Sequence, residues 1–250
     1  MKVQSLDRTF DILELLSRGR QGLNLTDISK NVNLHKSTVY RLLSALMTRG
    51  YIEKRDTTYR LGLEFVELCS LYLNSLELKT EATPVLRNLS QQSNQTVFLA
   101  TQQEDEMVYI DKMETFDSIR KYSIIGQRRP LYCTSLGKAL IMDRSDEEIR
   151  EMFKGKKMTA FTAKTITNVG SLIENIGAAR KKGWTYDDEE YENDVRCLGA
   201  PIYDYRDYTI AAVSTAWYAP TAKNLKLKDM AEMVKAAALE ISKRMGYRPR

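Results

Sequence analysis

One histidine, three cysteines and five prolines in 250 residues close off several kinds of chemistry before any motif is read. The single histidine, His35, lies near the amino-terminal end. The rest of the chain therefore lacks an imidazole for general-base catalysis or for a histidine-rich metal site. Cys69, Cys133 and Cys197 are far apart and form no CxxC pair, which argues against a zinc ribbon or a disulfide framework and fits a reducing cytoplasm. Nowhere does an apolar run approach the ~18 residues of a membrane-spanning helix. The first residues, MKVQSLDRTFDILELL, carry acids inside their apolar pattern, so neither a signal peptide nor a membrane span is expected. A glycine-rich phosphate loop is also missing. No cofactor, metal or catalytic residue is expected from this inventory.

What the chain does have is charge concentrated at one end. Residues 1–62 hold 11 Lys/Arg against 6 Asp/Glu, and residues 63–250 hold 27 against 27, so the whole net charge of +5 belongs to the first segment. A basic module joined to a neutral one fits nucleic-acid binding by the first and a separate task for the second.

The basic segment reads as a winged helix-turn-helix. Ser5 can cap a first helix carrying Leu6, Phe10, Ile12, Leu13, Leu15 and Leu16, and Thr26 can cap a short second one. After a turn over Asn31–His35, a third helix from Lys36 to Arg49 gathers Val39, Leu42, Leu43, Leu46 and Met47 into one apolar stripe. Lys36, Ser37, Thr38, Tyr40, Arg41 and Ser44 remain on or beside the other face. Short hydroxyl and basic side chains at a helix start suit entry into the major groove, where phosphates and base edges are both in reach. Two β-prone runs around the turn Arg55–Thr58 give a hairpin wing, with Lys54, Arg55 and Arg60 available to phosphates. Double-stranded operator DNA is the expected partner, through Thr26 and these residues.

The runs SLDRTFDILELL, LTDISKNVNLHKSTVYRLLSALMTRGYIEK and YRLG resemble the DNA-binding domain of the isocitrate-lyase-regulator (IclR) family of bacterial transcription factors. The resemblance continues through nearly the whole chain. VYIDKMETFDSIRKYSIIGQRRPLYCTSLGKAL and ISKRMGYRPR are most similar to the family's regulators of sugar-acid catabolism, which respond to keto-deoxygluconate and related compounds. It implies a homodimer, in some members a dimer of dimers, and a regulator that more often represses than activates. The expected organisation is a winged helix-turn-helix over 1–62, a linker helix over 63–78 dense in leucine and holding Cys69, and an effector domain over 79–250.

That last segment alternates. A helix from Lys79 precedes β-prone runs at Thr96–Thr101, Met107–Glu114 and Ile119–Ile125. Helices begin at Ser135, Asp146 and Val169, strands follow at Trp184–Asp187, Arg196–Ile202 and Tyr208–Trp217, and a helix from Leu225 closes the chain. The expected class is α+β, an antiparallel sheet flanked by helices, and the resemblance implies a fold similar to GAF and PAS sensor domains. Three segments stand out as ligand-binding candidates. CTSLGKAL offers a capped helix start whose open amides suit a carboxylate, although Gly137 there also fits close packing alone. The acids Asp187–Glu190 are more often a solvated turn, yet an apolar strand with Cys197 follows them directly. In VSTAW, alternation places Val213, Thr215 and Trp217 on one face and Ser214 and Ala216 on the other.

The resemblance implies that these three segments line one cavity for a small carboxylate effector, a sugar acid or 2-keto acid. The contacts carried over are Ser135, Leu136, Asp187, Val195, Cys197, Ser214 and Ala216. Two positions depart from the family pattern: Asp194 stands where a glycine is common, and Ala216 replaces a serine found in some members. Arg128 and Arg129 could attract an anionic ligand, and exposed surface charge is their expected role. The alternative in another class, an enzyme acting on a small acid, lacks a nucleophile with a base at readable spacing.

Overall fold

The computed structural model describes residues 3–18, 22–68, 77–114, 125–222 and 225–249. The chain divides into two compact units, Met1–Ser75 and Leu76–Arg250, and each is taken by itself.

In the first unit, α1 (Gln4–Arg18), α2 (Leu25–Asn31) and α3 (Lys36–Thr48) surround a small apolar core. Ile12, Leu16, Ile28, Val39, Leu43, Leu46, Ile52 and Tyr59 are buried there, and each fully buried aliphatic contributes about 1.5–3 kcal/mol. Three strands complete the unit: β1 (Leu23–Asn24), β2 (Ile52–Arg55) and β3 (Thr58–Leu61), in the order β1-β3-β2, all antiparallel. The hairpin is tighter than the sequence suggested. Arg55 pairs with Thr58, leaving only Asp56 and Thr57 in the turn, and Asp56 takes a left-handed φ of 51°, which a short polar residue tolerates.

Two caps differ from expectation. Asn24, not Thr26, caps α2, its Oδ1 accepting from the amide of Asp27 at 3.0 Å, because Leu25 and Thr26 are already helical. Ser5 lies inside α1 instead of before it. The lone histidine also finds a local role as the cap of α3, with Nδ1 3.4 Å from the amide of Ser37 and 2.8 Å from its Oγ. Ser29 Oγ donates to the carbonyl of Leu34 at 2.6 Å and ties the turn between α2 and α3.

Of the expected linker helix, residues 64–68 are helical, as are 77 and 78 in the next helix, while 69–76, with Cys69, lie outside the described residues. The expected strand Ile119–Ile125 falls outside them too, except for Ile125, which sits in a turn.

The second unit is built on one antiparallel sheet of six strands in the order β6-β5-β4-β9-β8-β7. These are β4 (Thr96–Gln103), β5 (Glu106–Met113), β6 (Arg128–Pro130), β7 (Thr185–Asp188), β8 (Val195–Tyr203) and β9 (Thr209–Tyr218). The mixed α+β class expected from the alternating pattern is what the chain adopts. Period-two alternation assigns the two faces. Val97, Leu99, Leu198, Ala200, Val213 and Trp217 pack with α4 (Glu77–Ser93) and α8 (Leu227–Arg244). Phe98, Ala100, Ala212 and Ala216 face the opposite cluster, which includes α5 (Ser135–Leu140), α6 (Asp146–Phe153) and α7 (Val169–Lys182). Local chemistry sets the ends of these helices. Ser145 and Glu148 form a reciprocal capping box on α6, Asn168 caps α7, and Gly183 ends α7 at φ 75°.

Two glycines press α5 into place. A Cβ on Gly137 would come within 2.5 Å of Leu131 backbone atoms, and one on Gly199 of β8 within 2.9 Å of the Ser135 carbonyl oxygen. The close-packing role of Gly137 is therefore real. Because only hydrogen occupies these two positions, α5 lies directly against β8 at Gly199 and folds back tightly on Leu131, just before it in the chain, at Gly137.

Candidate nucleic-acid interface and effector cavity

On the first unit, the apolar stripe of α3 turns inward and leaves a polar face. Lys36, Ser37, Tyr40 and Arg41 are exposed, Tyr40 at 53%, while Thr38 and Ser44 are half-buried beside them. Thr26 is half-buried in the first turn of α2. On the wing, Lys54 and Arg55 are exposed and Arg60 is half-buried. Arg55 Nε sits 2.9 Å from Glu53 Oε1, and the Lys54 ammonium lies 5.6 Å from the centroid of the Tyr59 ring. At such exposure the ion pair contributes under about 1 kcal/mol, so Arg55 can leave Glu53 for a stronger anion.

In the second unit a cavity of about 520 Å³ opens between the sheet, the start of α5 and the loop after β7. Ser135, Leu136, Asp187, Val195, Cys197, Ser214 and Ala216 all border it. Thr134 caps α5 by accepting from the Gly137 amide at 3.0 Å, and the amides of Ser135 and Leu136, as the first two of the helix, have no acceptor within it. The Ser135 carbonyl is held by Thr185 Oγ1 at 2.7 Å. Ser214 and Ala216 share the cavity face of β9, and Cys197 stands opposite Ala216 on β8.

The acidic run behaves differently from a solvated turn. Asp187 and Glu190 are turned inward, 3% and 6% exposed. Asp188 and Glu189 are half-buried and pair instead with Arg196, at 2.7 and 3.1 Å, and with Lys164, at 3.2 and 3.0 Å. Left-handed φ values of 64° at Glu189 and 63° at Asp194 let the loop reverse, so Asp194 supplies the backbone conformation that a glycine would have supplied. Thr162 and Thr165 hydroxyls donate to the carbonyls of Glu189 and Glu190 at 2.7 and 2.6 Å and brace the turn.

Behind the acids lies a lysine that sequence reasoning passed over. Lys138 is fully buried and its Nζ meets Glu190 Oε1 at 2.5 Å and the Tyr186 carbonyl. The other Glu190 oxygen, Oε2, has no hydrogen-bond partner among the described residues. Asp187 Oδ1 accepts from the Glu190 amide at 2.7 Å. Burial pushes the Asp187 carboxyl up to about 7 and is only partly opposed by the Lys138 ammonium, with Glu190 adding to the rise. Burial likewise raises Glu190, against the pull of Lys138. Cys197 meets the cavity but its thiol is pushed well above the usual range by burial, then by Asp187. A thiol so disfavoured as thiolate makes a wall and not a nucleophile.

The cavity also includes residues without a motif to announce them: Thr96, Phe98, Tyr109, Phe161, Tyr191 and Glu192. They come from strands and loops far apart in sequence, and only the aromatic side chains of β4 and β5 on the cavity face offered a signal. Arg129 is a correction. Expected as a surface charge beside Arg128, it is half-buried and borders the cavity, because neighbours on β6 point to opposite sides.

The comparisons with known proteins agree on one family. Residues 70–243 match the model of the bacterial transcriptional regulator IclR C-terminal domain, and residues 5–56 match the IclR helix-turn-helix domain. The chain is 34% identical to the HTH-type transcriptional regulator KdgR of Escherichia coli over 247 residues, 98% of this chain and 94% of that protein. Among solved structures, Thermotoga maritima IclR is 29% identical with a TM-score of 0.84, covering 98% of this chain and 99% of that one. An IclR homolog from Microbacterium hydrocarbonoxydans, solved with 4-hydroxybenzoate, has a TM-score of 0.84 at 21% identity, covering 97% and 99%. The similar proteins are DNA-binding regulators, which sets aside the enzyme alternative. With both of its segments accounted for in this way, the chain belongs to the IclR family of bacterial transcriptional regulators.

Proposed function

We propose that the protein is a repressor whose grip on operator DNA is controlled by a small carboxylate, a sugar acid or 2-keto acid, held in the cavity of the second unit. The observation that carries this reading is convergence: three segments distant in sequence, ending in Ser135–Leu136, Asp187–Cys197 and Ser214–Ala216, border one hollow. The effector carboxylate would accept from the Ser135 and Leu136 amides, and its hydroxyl or keto oxygens would meet Asp187, Ser214 and the Cys197 wall, with Val195 and Ala216 filling shape. The homolog solved with 4-hydroxybenzoate supports the idea that such folds take small acids.

On the DNA side, Lys36, Ser37, Thr38, Tyr40, Arg41 and Ser44 would enter the major groove. Thr26, Lys54, Arg55 and Arg60 would contact phosphates. A homodimer would present two such helices to a near-palindromic site, and the exposed Leu6, Phe10, Leu63 and Val66 supply apolar surface for self-association. The effector shifts operator binding only as far as it binds the two states of the protein unequally.

Selection of duplexes from a random pool by the full-length protein, followed by titration of the selected complex with gluconate, 2-keto-3-deoxygluconate, pyruvate, glyoxylate and 4-hydroxybenzoate, tests the whole reading. At least one acid is expected to weaken the complex tenfold or more. Operator affinity that stays level across the panel would remove the effector half of the proposal.

A further inference from the structure

Arg128 and Arg129 are sequence neighbours in different surroundings. Arg128 is exposed and makes ordinary surface contacts, with Gln103 Oε1 at 2.9 Å and Glu106 Oε2 at 3.6 Å. Arg129 borders the cavity and is held from three sides. Its Nη1 donates to the Arg128 carbonyl at 2.8 Å, its Nη2 to Gln127 Oε1 at 2.6 Å, and its guanidinium lies 5.1 Å from the centroid of the Tyr191 ring. Tyr191 is itself packed on Phe161, ring centroids 4.9 Å apart. A guanidinium fixed in this way has already lost its side-chain freedom, so binding an oxyanion costs it little further entropy.

The other charges around the hollow leave that cation available to a ligand. Lys138 is engaged by Glu190 and the Tyr186 carbonyl. Asp187 lies in the wall, where burial favours its neutral form. Glu192 also borders the cavity at its exposed rim, and its charge acts on the Cys197 thiol and the Tyr191 hydroxyl. Volume points the same way. About 520 Å³ lies within the range of pockets that enclose drug-sized ligands, and a two- or three-carbon keto acid would leave most of it to water.

We propose that Arg129 is a specificity-determining residue of the effector site and reads a second oxyanion, carboxylate or phosphate, on an acid of about six carbons. This rests on the effector reading above: the first carboxylate is the one at Ser135 and Leu136, and the second distinguishes a dianionic acid from its monoanionic counterpart. Fork-like pairing of a guanidinium with an oxyanion accounts for the choice of arginine.

Calorimetric titration of the full-length protein with gluconate, galactarate and 6-phosphogluconate separates the possibilities. The expected result is that at least one dianion binds about tenfold or more tighter than gluconate. Arg129→Gln should erase that preference, lowering the affinity for the dianion about tenfold more than the affinity for gluconate, and Arg129→Lys should keep part of it. A preference confined to galactarate assigns a carboxylate, and one confined to 6-phosphogluconate a phosphate. Equal binding of all three acids by the wild type, or an equal loss for all three in Arg129→Gln, overturns the role of Arg129 while leaving the effector site standing. If none of the three acids binds, and 2-keto-3-deoxygluconate, pyruvate, glyoxylate and 4-hydroxybenzoate do not bind either, the effector reading falls and takes this one with it. Melting of unliganded Arg129→Gln at the wild-type temperature excludes misfolding as the cause.

Discussion

The two units of this protein treat charge in opposite ways. In the first, Lys36, Arg41, Lys54 and Arg55 stand in solvent over a core of aliphatic residues. In the second, Lys138, Asp187 and Glu190 are withdrawn from water behind a cavity. Exposed charge contributes little to folding and is free to meet a polyanion. Buried charge is costly to desolvate and persists only when paired, so its removal is felt as lost stability. The same residue types thus stand in solvent in one unit and shape a hollow in the other.

The sharpest way to break that contrast is Lys138→Met, which strands Glu190 as an unpaired buried carboxylate. Loss of about 3–5 kcal/mol is expected in denaturant unfolding of the second unit. The double variant Lys138→Met, Glu190→Leu should recover most of it, and a Lys138→Met protein as stable as wild type would show that the pair is not needed. In the first unit the order reverses. Arg41→Ala should leave stability within about 0.5 kcal/mol yet weaken operator binding by roughly 1–3 kcal/mol if the side chain reads a base. A change only in the salt-sensitive background would assign Arg41 to phosphate.

Asp187 sharpens the comparison through pH. Its carboxyl sits higher in the folded protein, about 7, than its ordinary value of 3.8, so the folded state holds a proton that the unfolded state releases. Its contribution to stability is fully present below pH 4 and is lost as pH rises to 7. Asp187→Asn is therefore expected to gain on the order of 2 kcal/mol over wild type between pH 5 and pH 8. An equal difference at both pH values would mean that burial does not raise this group. The smallest effect belongs to the wing: Lys54→Gln should reduce the slope of log affinity against log salt by about 0.9 if it meets one phosphate. An unchanged slope would move Lys54 off the DNA.

Much of this was open to inspection before any coordinates. Val39, Leu43 and Leu46 recur at helical spacing and are the buried face of α3, and Ser214 and Ala216 alternate with Val213 and Trp217 as a strand between two layers must. The misses have a common cause. The Asn24 cap and the two-residue hairpin turn depend on where the backbone leaves one conformation for another, which side-chain periodicity locates only to within a residue or two. Arg129 and Tyr191 become part of a wall only when β6 and the loop after β7 arrive at the same place. The acids Asp187–Glu190 look uniform as letters, and the fold splits them into two inward and two outward.

The chain of amino acids alone determined the helix-turn-helix, the concentration of positive charge at one end and the strand alternation of the rest, because each is a matter of neighbours within a few residues. Tertiary structure alone decided that Lys138 finds Glu190, 52 positions away, that Gly199 lets α5 touch the sheet, and that a hollow remains between them. Those are contacts between distant segments, and their energies arise from desolvation and close packing, which exist only once the segments have met.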